Sequence, residues 1–245
     1  MILAAAQTKP KRGDIHSNLS DHYQLIKLAA QKGADLIVFP ELSITGYERE
    51  NAADLAFTID DSRIDHLRKL AVEENIIIVA GAPIETASGL FIGEFIIFPD
   101  NSVSIYTKQF LHEGEDEFFQ PSFDYNPMVT IENQKISFAI CADIDNPLHP
   151  KNASERETSI YIASIFFTPN GIPNAYRDLQ SYAEKHKMNV LMSNFSGESW
   201  EYPSAGQSAF WNSKGELVGQ MNDSDSGLLL VENQNDNWTS RVVLH

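Results

Sequence analysis

Hydrophobic and polar positions along the chain alternate between short apolar runs and stretches of helical periodicity. Ile2–Gln7 and Leu36–Phe39 are apolar runs that predict strands buried on both faces. Between them, apolar residues recur at helical spacing after the capping residue Asp14, and Gly33 marks the end of this helix. The order then repeats with a helix capped by Asp61 or Ser62 and a strand over Ile76–Ala80, closed by Gly81. Helices that alternate with strands predict layered α/β packing.

The middle of the chain changes to strands joined by turns. Phe91–Phe98 and Val103–Tyr106 flank a Pro-Asp-Asn turn, and Met128–Ile131 and Ile136–Ile140 flank a second turn, which predicts two antiparallel hairpins. The remaining predicted elements are a proline-broken helix after Cys141, a helix over Asn174–Lys187, and strands over Ile160–Ala163, Val190–Ser193, Ser208–Trp211, Leu217–Gly219 and Leu228–Val231. Because no linker or internal repeat divides the chain, we predict a single domain over residues 1–245.

Composition and charge narrow the classes of partner. A net charge of -16 repels nucleic acid and anionic membrane surfaces, so we expect neither as a partner. No apolar run reaches the roughly 18 residues of a transmembrane helix, and the N-terminal segment reads as a first strand rather than as a secretory signal. The single cysteine excludes an intrachain disulfide and a multi-cysteine metal site, and it is typical of a reducing compartment. We therefore predict a cytoplasmic protein.

Three predicted strands end at a chemically capable side chain, namely Glu41, Lys108 and Cys141. Strand ends of open α/β sheets are common places for functional sites. A thiol needs a base to become a thiolate, and a buried glutamate can serve as that base. A nearby ammonium lowers the thiol pKa and can stabilise an oxyanion. Taken singly, each residue also has an ordinary structural interpretation, as an inert buried cysteine, a loop carboxylate or a surface charge.

The sequences around these three residues occur together in a recognisable order. The segments FPELSITGY, YTKQFLHEGEDEFFQP and ISFAICADIDNP resemble motifs of the nitrilase superfamily of carbon–nitrogen hydrolases. Two later segments, Asn194–Gly197 and Ala205–Leu217, resemble the closing motifs of that family. The resemblance implies a four-layer α-β-β-α sandwich with two mixed central sheets, and it implies a homodimer or higher homo-oligomer.

The resemblance also implies the function and its catalytic residues. Glu41 would be the general base, Lys108 the cation that stabilises the oxyanion, and Cys141 the nucleophile that forms a thioester. The backbone N–H of Ala142 would be the second oxyanion donor. The activity implied is hydrolysis of a non-peptide, amide-type carbon–nitrogen bond of a small molecule without a cofactor. The alternatives are a nitrilase that acts on a nitrile, although family nitrilases tend to be longer, or a non-catalytic binding or regulatory relative.

The resemblance also implies an auxiliary acid, and the sequence departs from the family pattern in two places. Many members carry a second glutamate after the lysine segment, and Glu115 is the match, with Glu113 and Asp116 as competitors. An aromatic residue often follows the cysteine in relatives, whereas Ala142 follows it here, and the Asp145–Pro150 stretch lacks the Arg-Phe-Pro-Glu run of many amidases. The sequence therefore leaves the acyl group and the amine of the substrate open.

Two further features of the sequence carry competing interpretations. A metal site is an alternative that would draw its ligands from His112, Glu113, Glu115, Asp116, Asp143, Asp145 and His149, but no fixed ligand spacing supports it. The apolar residues of the C-terminal segment, Trp238, Val242, Val243 and Leu244, either form a contact surface between subunits or fold back on their own core.

Overall fold

The structure is a computed structural model that describes residues 1–199 and 201–245. The strands are β1 Ile2–Gln7, β2 Leu36–Val38, β3 Ile77–Thr86, β4 Gly89–Ile97, β5 Val103–Thr107, β6 Val129–Ile131, β7 Gln134–Ile140, β8 Ile160–Ile165, β9 Asn189–Asn194, β10 Glu198–Ser199, β11 Tyr202–Pro203, β12 Ala209–Trp211, β13 Leu217–Gln220, β14 Gly227–Gln234 and β15 Asn237–Leu244. The α-helices are α1 Ile15–Gln31, α2 Ala52–Leu55, α3 Asp65–Glu74, α4 Leu148–Glu155 and α5 Ile172–His186, and short 3₁₀ helices cover Ser62–Ile64 and Cys141–Asp145.

Two mixed sheets stack face to face and form the centre of the fold. One sheet has the strand order β15-β14-β1-β2-β3-β4-β5, and the other has the order β13-β12-β9-β8-β7-β6. Strands β1, β2 and β3 are parallel, as are β7, β8 and β9, whereas the flanking strands are antiparallel. A buried apolar core that contains residues of both sheets lies between them.

The helices cover the outer face of each sheet. Helices α1 and α3 pack on the first sheet through side chains such as Ile26 and Leu67, and α5 packs on the second sheet through Leu179. The carboxylate of Asp14 accepts a 3.0 Å hydrogen bond from the backbone N–H of Ser17, which confirms the predicted cap of α1. The layers are therefore helix, sheet, sheet and helix, as predicted. No helix within residues 1–199 and 201–245 is both long enough and apolar enough to cross a membrane.

Strand β3 is longer than the sequence analysis predicts. It continues through Gly81 to Thr86 and joins β4 by a tight turn, so Gly81 does not close the strand. Its actual role is steric. A Cβ atom at this position would lie 2.5 Å from the backbone nitrogen of Leu42, so the glycine allows the loop after Glu41 to lie against the strand.

The C-terminal segment forms an edge strand. Strand β15 pairs with β14, and the ring of Trp238 packs 4.6 Å from that of Phe210, so this part of the segment folds back on its own core. Val242 and Leu244 remain 44% and 60% exposed. The assembly of the protein as a homodimer remains a prediction.

Candidate active site

Glu41, Lys108 and Cys141 meet in the interior, at the ends of three strands. Glu41 lies just beyond β2, and Lys108 and Cys141 directly follow β5 and β7, so the cluster joins the two sheets. The Nζ atom of Lys108 lies 2.7 Å from Oε1 of Glu41, and both side chains have no exposed surface. Cys141 is 2% exposed. The structure therefore brings together the three residues that the sequence analysis selects.

Glu115, the expected auxiliary acid, lies in this cluster. Both of its oxygens lie 2.9 Å from Nζ of Lys108, and Oε1 accepts a 2.6 Å hydrogen bond from the hydroxyl of Tyr47. Its competitors lie elsewhere, because Glu113 and Asp116 are both exposed. Glu113 still lines the cavity beside Cys141. Lys108 thus lies between two buried carboxylates.

Cys141 has an unusual backbone conformation. Its φ angle is +41°, in the left-handed region that non-glycine residues rarely adopt. Strained conformations of this kind cost roughly 1–3 kcal/mol and occur where the surrounding structure holds a functional side chain in place. Ala142 is buried in the first turn of the following 3₁₀ helix. First-turn N–H groups lack a partner within their helix, which makes this N–H a suitable oxyanion donor.

The turn at Cys141 is held by Asp143. Its Oδ2 atom accepts a 2.9 Å hydrogen bond from the backbone N–H of Ile140 and a 2.6 Å bond from the hydroxyl of Tyr106. Its Oδ1 atom accepts two bonds of 2.9 Å from the backbone N–H groups of Gln109 and Phe110. Asp143 therefore joins the nucleophile turn to the segment that follows Lys108.

The sulfur of Cys141 also contacts polar groups outside the trio. Its Sγ atom lies 3.3 Å from Nε2 of His112 and 3.6 Å from the carbonyl oxygen of Phe166. From the sequence, His112 is expected only as a possible metal ligand. Because its contact with the sulfur comes from the tertiary fold, no local sequence signal could have found it.

Burial and charge determine the protonation of the cluster. Burial raises the pKa of Glu41 to about 7, although the ammonium of Lys108 opposes the shift. Burial also raises the pKa of the Cys141 thiol well above its ordinary value. Burial alone would lower the pKa of Lys108, but Glu41 and Glu115 raise it above its ordinary value. The resting site therefore contains a protonated thiol, a charged lysine and a carboxylate that can accept a proton near neutral pH.

A cavity of about 310 Å³ opens beside the cluster. Its walls include Glu41, Tyr47, Arg49, His112, Cys141 and Phe166. The volume lies at the lower end of the range for ligand cavities, which suits a small substrate.

A further buried carboxylate lies behind the site, and the sequence analysis missed it. Glu94 stands between Ile92 and Ile96 on the face of β4 that points toward the second sheet. The side chain is fully buried, and burial raises its pKa to about 8. Among the residues described, neither of its oxygens forms a hydrogen bond of good geometry, and the same is true of the buried hydroxyl of Ser164. The sequence signal that could have found Glu94 is its position as a charged residue in the middle of an apolar strand.

The alternative metal ligands are distributed among different contacts. Glu115 binds Lys108, Asp143 accepts backbone N–H groups, and the ring of His149 lies 2.8 Å from the hydroxyl of Tyr106 and 2.7 Å from that of Tyr161. Over the described part of the chain, no group of three or more His, Cys, Asp or Glu side chains has the arrangement of a metal site.

Comparison with known proteins identifies the family. The family model for carbon-nitrogen hydrolases matches residues 2–241 of the chain. The chain belongs to the carbon–nitrogen hydrolase family. This match confirms the resemblance found in the sequence motifs, and it covers nearly the whole chain.

Relatives within the family include enzymes with different names. A protein of Pyrococcus abyssi named nitrilase is 25% identical over 236 residues, which cover 94% of this chain and 88% of the relative. A glutamine-dependent NAD(+) synthetase of Thermotoga maritima is 26% identical over 87% of this chain, but the match covers 38% of the synthetase. Relatives named as an omega-amidase and as a protein N-terminal amidase also match, and the chain is an amidase-like member of the family.

The fold is shared with a solved amidase structure. The NitN amidase of Nesterenkonia sp. AN1 superposes with a TM-score of 0.85 at 21% identity, covering 96% of this chain and 93% of the amidase. A mutant of that amidase has also been solved in complex with butyramide, again with a TM-score of 0.85. This likeness confirms the sandwich fold.

Proposed function

We propose that the chain hydrolyses an amide-type carbon–nitrogen bond of a small molecule through a thioester on Cys141. The observation that carries the proposal is the buried cluster of Glu41, Lys108 and Glu115 beside a strained cysteine in a small cavity. The butyramide bound to the Nesterenkonia amidase is a small primary amide, and it supports a substrate of this size and class. The bond cleaved would be a non-peptide bond.

In the first step Glu41 removes the thiol proton of Cys141. With Lys108 charged and Glu115 ionised, this transfer leaves the net charge of the cluster unchanged, because a carboxylate is neutralised as a thiolate forms. A closed, low-dielectric site favours a transfer that creates no additional charge. The pKa of Glu41, raised by burial to about 7, suits a group that both accepts and returns a proton.

The thiolate then attacks the carbonyl carbon, and the carbonyl oxygen becomes an oxyanion. Lys108 donates one N–H to Glu41, and the two oxygens of Glu115 can share a second. A third N–H is then left for the oxyanion, with the backbone N–H of Ala142 as the other donor.

The thioester forms when the leaving nitrogen takes a proton from Glu41 and the carbon–nitrogen bond breaks. Glu41 is ionised again and removes a proton from a water molecule, which attacks the thioester. Collapse of the second tetrahedral intermediate breaks the carbon–sulfur bond and releases the acid, and the proton on Glu41 returns to the sulfur. Each proton taken by Glu41 is thus given back within the cycle.

A screen for ammonia release tests this proposal. Small primary amides, ω-amides, carbamoyl compounds and nitriles would be compared with the wild-type chain and with Cys141→Ala. Ammonia release from an amide that requires Cys141 is the expected result, and EDTA should not change the rate. Activity that EDTA removes and a divalent metal restores would contradict the mechanism. Absence of turnover together with tight binding of an amide would favour a non-catalytic relative.

A nitrilase activity is the second candidate, and the similarity to the Pyrococcus abyssi nitrilase favours it. The adduct with Cys141 would then be a thioimidate, and hydrolysis would yield both ammonia and the acid. Parallel measurements on a nitrile and on its matching amide discriminate the two. Turnover of the nitrile at the higher kcat/KM would replace the amidase assignment.

We also propose that the protein acts in the cytoplasm as a homodimer. A single cysteine supports a reducing compartment, and the exposed Val242 and Leu244 of strand β15 support a contact between subunits. Light scattering at micromolar concentration gives the mass directly. A monomer near 27.4 kDa would contradict the dimer. A dimer that survives deletion of residues 238–245 would exclude this strand from the contact.

A further inference from the structure

The sulfur of Cys141 must be stabilised as a thiolate before it can attack. Its neighbours differ in whether they can donate a hydrogen bond to it. The carbonyl oxygen of Phe166, 3.6 Å away, can only accept a hydrogen bond, so it favours the protonated thiol. Nε2 of His112, 3.3 Å away, can donate one when it carries the ring proton. Of these two contacts, only the imidazole is able to stabilise a thiolate.

Lys108 is directed toward carboxylates instead of toward the sulfur. Its Nζ atom lies 2.7 Å from Glu41 and 2.9 Å from both oxygens of Glu115. Any N–H that remains is needed by the oxyanion in the proposed mechanism. The charge of Lys108 lowers the pKa of Cys141, and a hydrogen-bond donor that faces the sulfur would add to this stabilisation of the thiolate.

The backbone of His112 is anchored to the buried cluster. Its backbone N–H donates a 2.8 Å hydrogen bond to Oε2 of Glu115, the same carboxylate that binds Lys108. Its ring lines the cavity and its side chain is 38% exposed, so it stands on the substrate side of the sulfur. Oδ2 of Asp145 lies 3.9 Å from Nε2, which is too far for a hydrogen bond, so the sulfur is the nearer partner.

The surroundings of the His112 ring favour its neutral form. Burial lowers the pKa of His112 below its ordinary value, and the ammonium of Lys108 lowers it further. A neutral imidazole carries one N–H, and the tautomer with this proton on Nε2 directs it toward the sulfur.

We propose that His112 is a further catalytic residue, whose Nε2–H donates a hydrogen bond to the sulfur of Cys141 and stabilises the thiolate. This role rests on the proposed function and leaves its proton balance unchanged. The S–H bond breaks as Glu41 takes the proton, and the Nε2–H group then donates to the sulfur without giving up its own proton. The same bond stabilises the sulfur when the thioester is hydrolysed and the thiolate departs. His112 remains neutral throughout.

The test is the alkylation of Cys141 by iodoacetamide, measured as a rate from pH 6 to pH 10. Because Cys141 is the only cysteine in the chain, the rate reports on this sulfur alone. His112→Phe keeps an aromatic ring and removes the donor, whereas His112→Gln keeps an N–H donor that does not titrate. His16→Phe, at an exposed position on α1, is the matched control. Melting temperatures establish that each variant is folded.

We expect His112→Phe to lower the alkylation rate at pH 7 by about tenfold and to move the rising limb of the profile upward by about one pH unit, as the loss of a hydrogen bond to a charged group predicts. His112→Gln should recover most of the loss, and His16→Phe should match the wild type. A wild-type profile for His112→Phe would overturn the proposal. Equal losses in the Phe and Gln variants would also overturn it, because a role in packing or shape would then explain the effect.

The alkylation series also separates this proposal from the proposed function. If the wild-type chain hydrolyses none of the tested amides, the proposed substrate class fails, but the alkylation profiles still decide the role of His112. If His112→Phe hydrolyses an amide with the wild-type kcat and is alkylated like the wild type, the role of His112 fails and the amidase function stands.

Discussion

Asp143 accepts a 2.9 Å hydrogen bond from the backbone N–H of Gln109, the residue that directly follows Lys108. This bond crosses from the second sheet to the first, because Asp143 follows β7 and Gln109 follows β5. Its consequence is that the nucleophile and the cation are positioned relative to each other by one buried carboxylate. The geometry of the proposed catalytic site therefore depends on Asp143, a residue for which no contact with the sulfur is seen among the described residues.

Asp143→Asn should damage both stability and activity. Each oxygen of Asp143 accepts two hydrogen bonds, so an amide NH₂ in place of either oxygen would face two donors. We expect a loss of roughly 2–4 kcal/mol in the free energy of unfolding, measured by urea denaturation, and a fall in kcat. Asp116→Asn at an exposed position is the control and should leave both quantities unchanged. Wild-type stability in Asp143→Asn would show that the four bonds contribute little.

Cys141→Ala and Cys141→Ser should abolish turnover and leave the fold intact. Alanine removes the nucleophile, and a serine hydroxyl is far less acidic than a thiol, so Glu41 cannot activate it comparably. Ammonia release gives the activity, and the melting temperature checks the fold. More than a few per cent of wild-type turnover in Cys141→Ala would eliminate the thioester mechanism.

The resemblance of the sequence motifs to the carbon–nitrogen hydrolase family predicted the sandwich fold and selected the three residues that meet in the cluster. Buried strands read as apolar runs, and Glu41, Lys108 and Cys141 each follow such a run. Glu115 was the preferred choice for the auxiliary acid, but only its two contacts with Lys108 distinguish it from Glu113 and Asp116.

Other parts of the site depend on contacts that no local pattern records. The closeness of His112 to the sulfur, the buried position of Glu94 and the positive φ angle of Cys141 all arise from the packing of the two sheets. The role of Gly81 also depends on tertiary packing. As a glycine after an apolar run it predicted a strand end, whereas its actual role is to let the loop after Glu41 approach β3. Sequence rules for glycine describe backbone freedom, and they do not record which loop packs against it.

Glu41→Gln should lower kcat by at least about 100-fold, the usual cost of losing a general base. The amide keeps the size of the side chain but cannot accept the thiol proton. Glu113→Gln is a matched control, because Glu113 lines the same cavity and has no assigned role in proton transfer. Both variants would be compared by steady-state kinetics on the best amide from the screen. If kcat falls comparably in the two variants, the effect comes from the negative charge of the cavity and not from the loss of a general base.

Lys108→Ala should lower kcat by at least about 100-fold and also destabilise the fold. Removal of the ammonium leaves Glu41 and Glu115 as uncompensated buried carboxylates, which typically costs roughly 3–5 kcal/mol. Adding Glu115→Gln removes one of these charges, so the double variant should regain stability in urea denaturation without regaining kcat. If activity returns together with stability, Lys108 has a structural role and does not stabilise the oxyanion.

Glu94 should make the stability of the fold depend on pH. Its pKa rises with burial from an ordinary value of 4.5 to about 8, so the folded state keeps a proton that the unfolded state has lost. The contribution of neutral Glu94 is fully present below the unfolded pKa near 4.5 and is lost as the pH rises toward about 8. Over this window the free energy of unfolding should fall by up to about 1.4 kcal/mol per pH unit from this group alone.

Glu94→Gln removes the titrating group and keeps a neutral side chain of similar size. We expect its free energy of unfolding, measured in urea at pH 5, 6.5 and 8, to exceed that of the wild type by a margin that widens with pH. Glu85→Gln, at an exposed position on the neighbouring strand β3, should follow the wild type at all three values. If the free energy of unfolding depends on pH in the same way for Glu94→Gln and the wild type, Glu94 is ionised in the folded state across this range. A cation or water network would then have to compensate a charge inside the sheet interface, because an isolated buried carboxylate is too costly to persist.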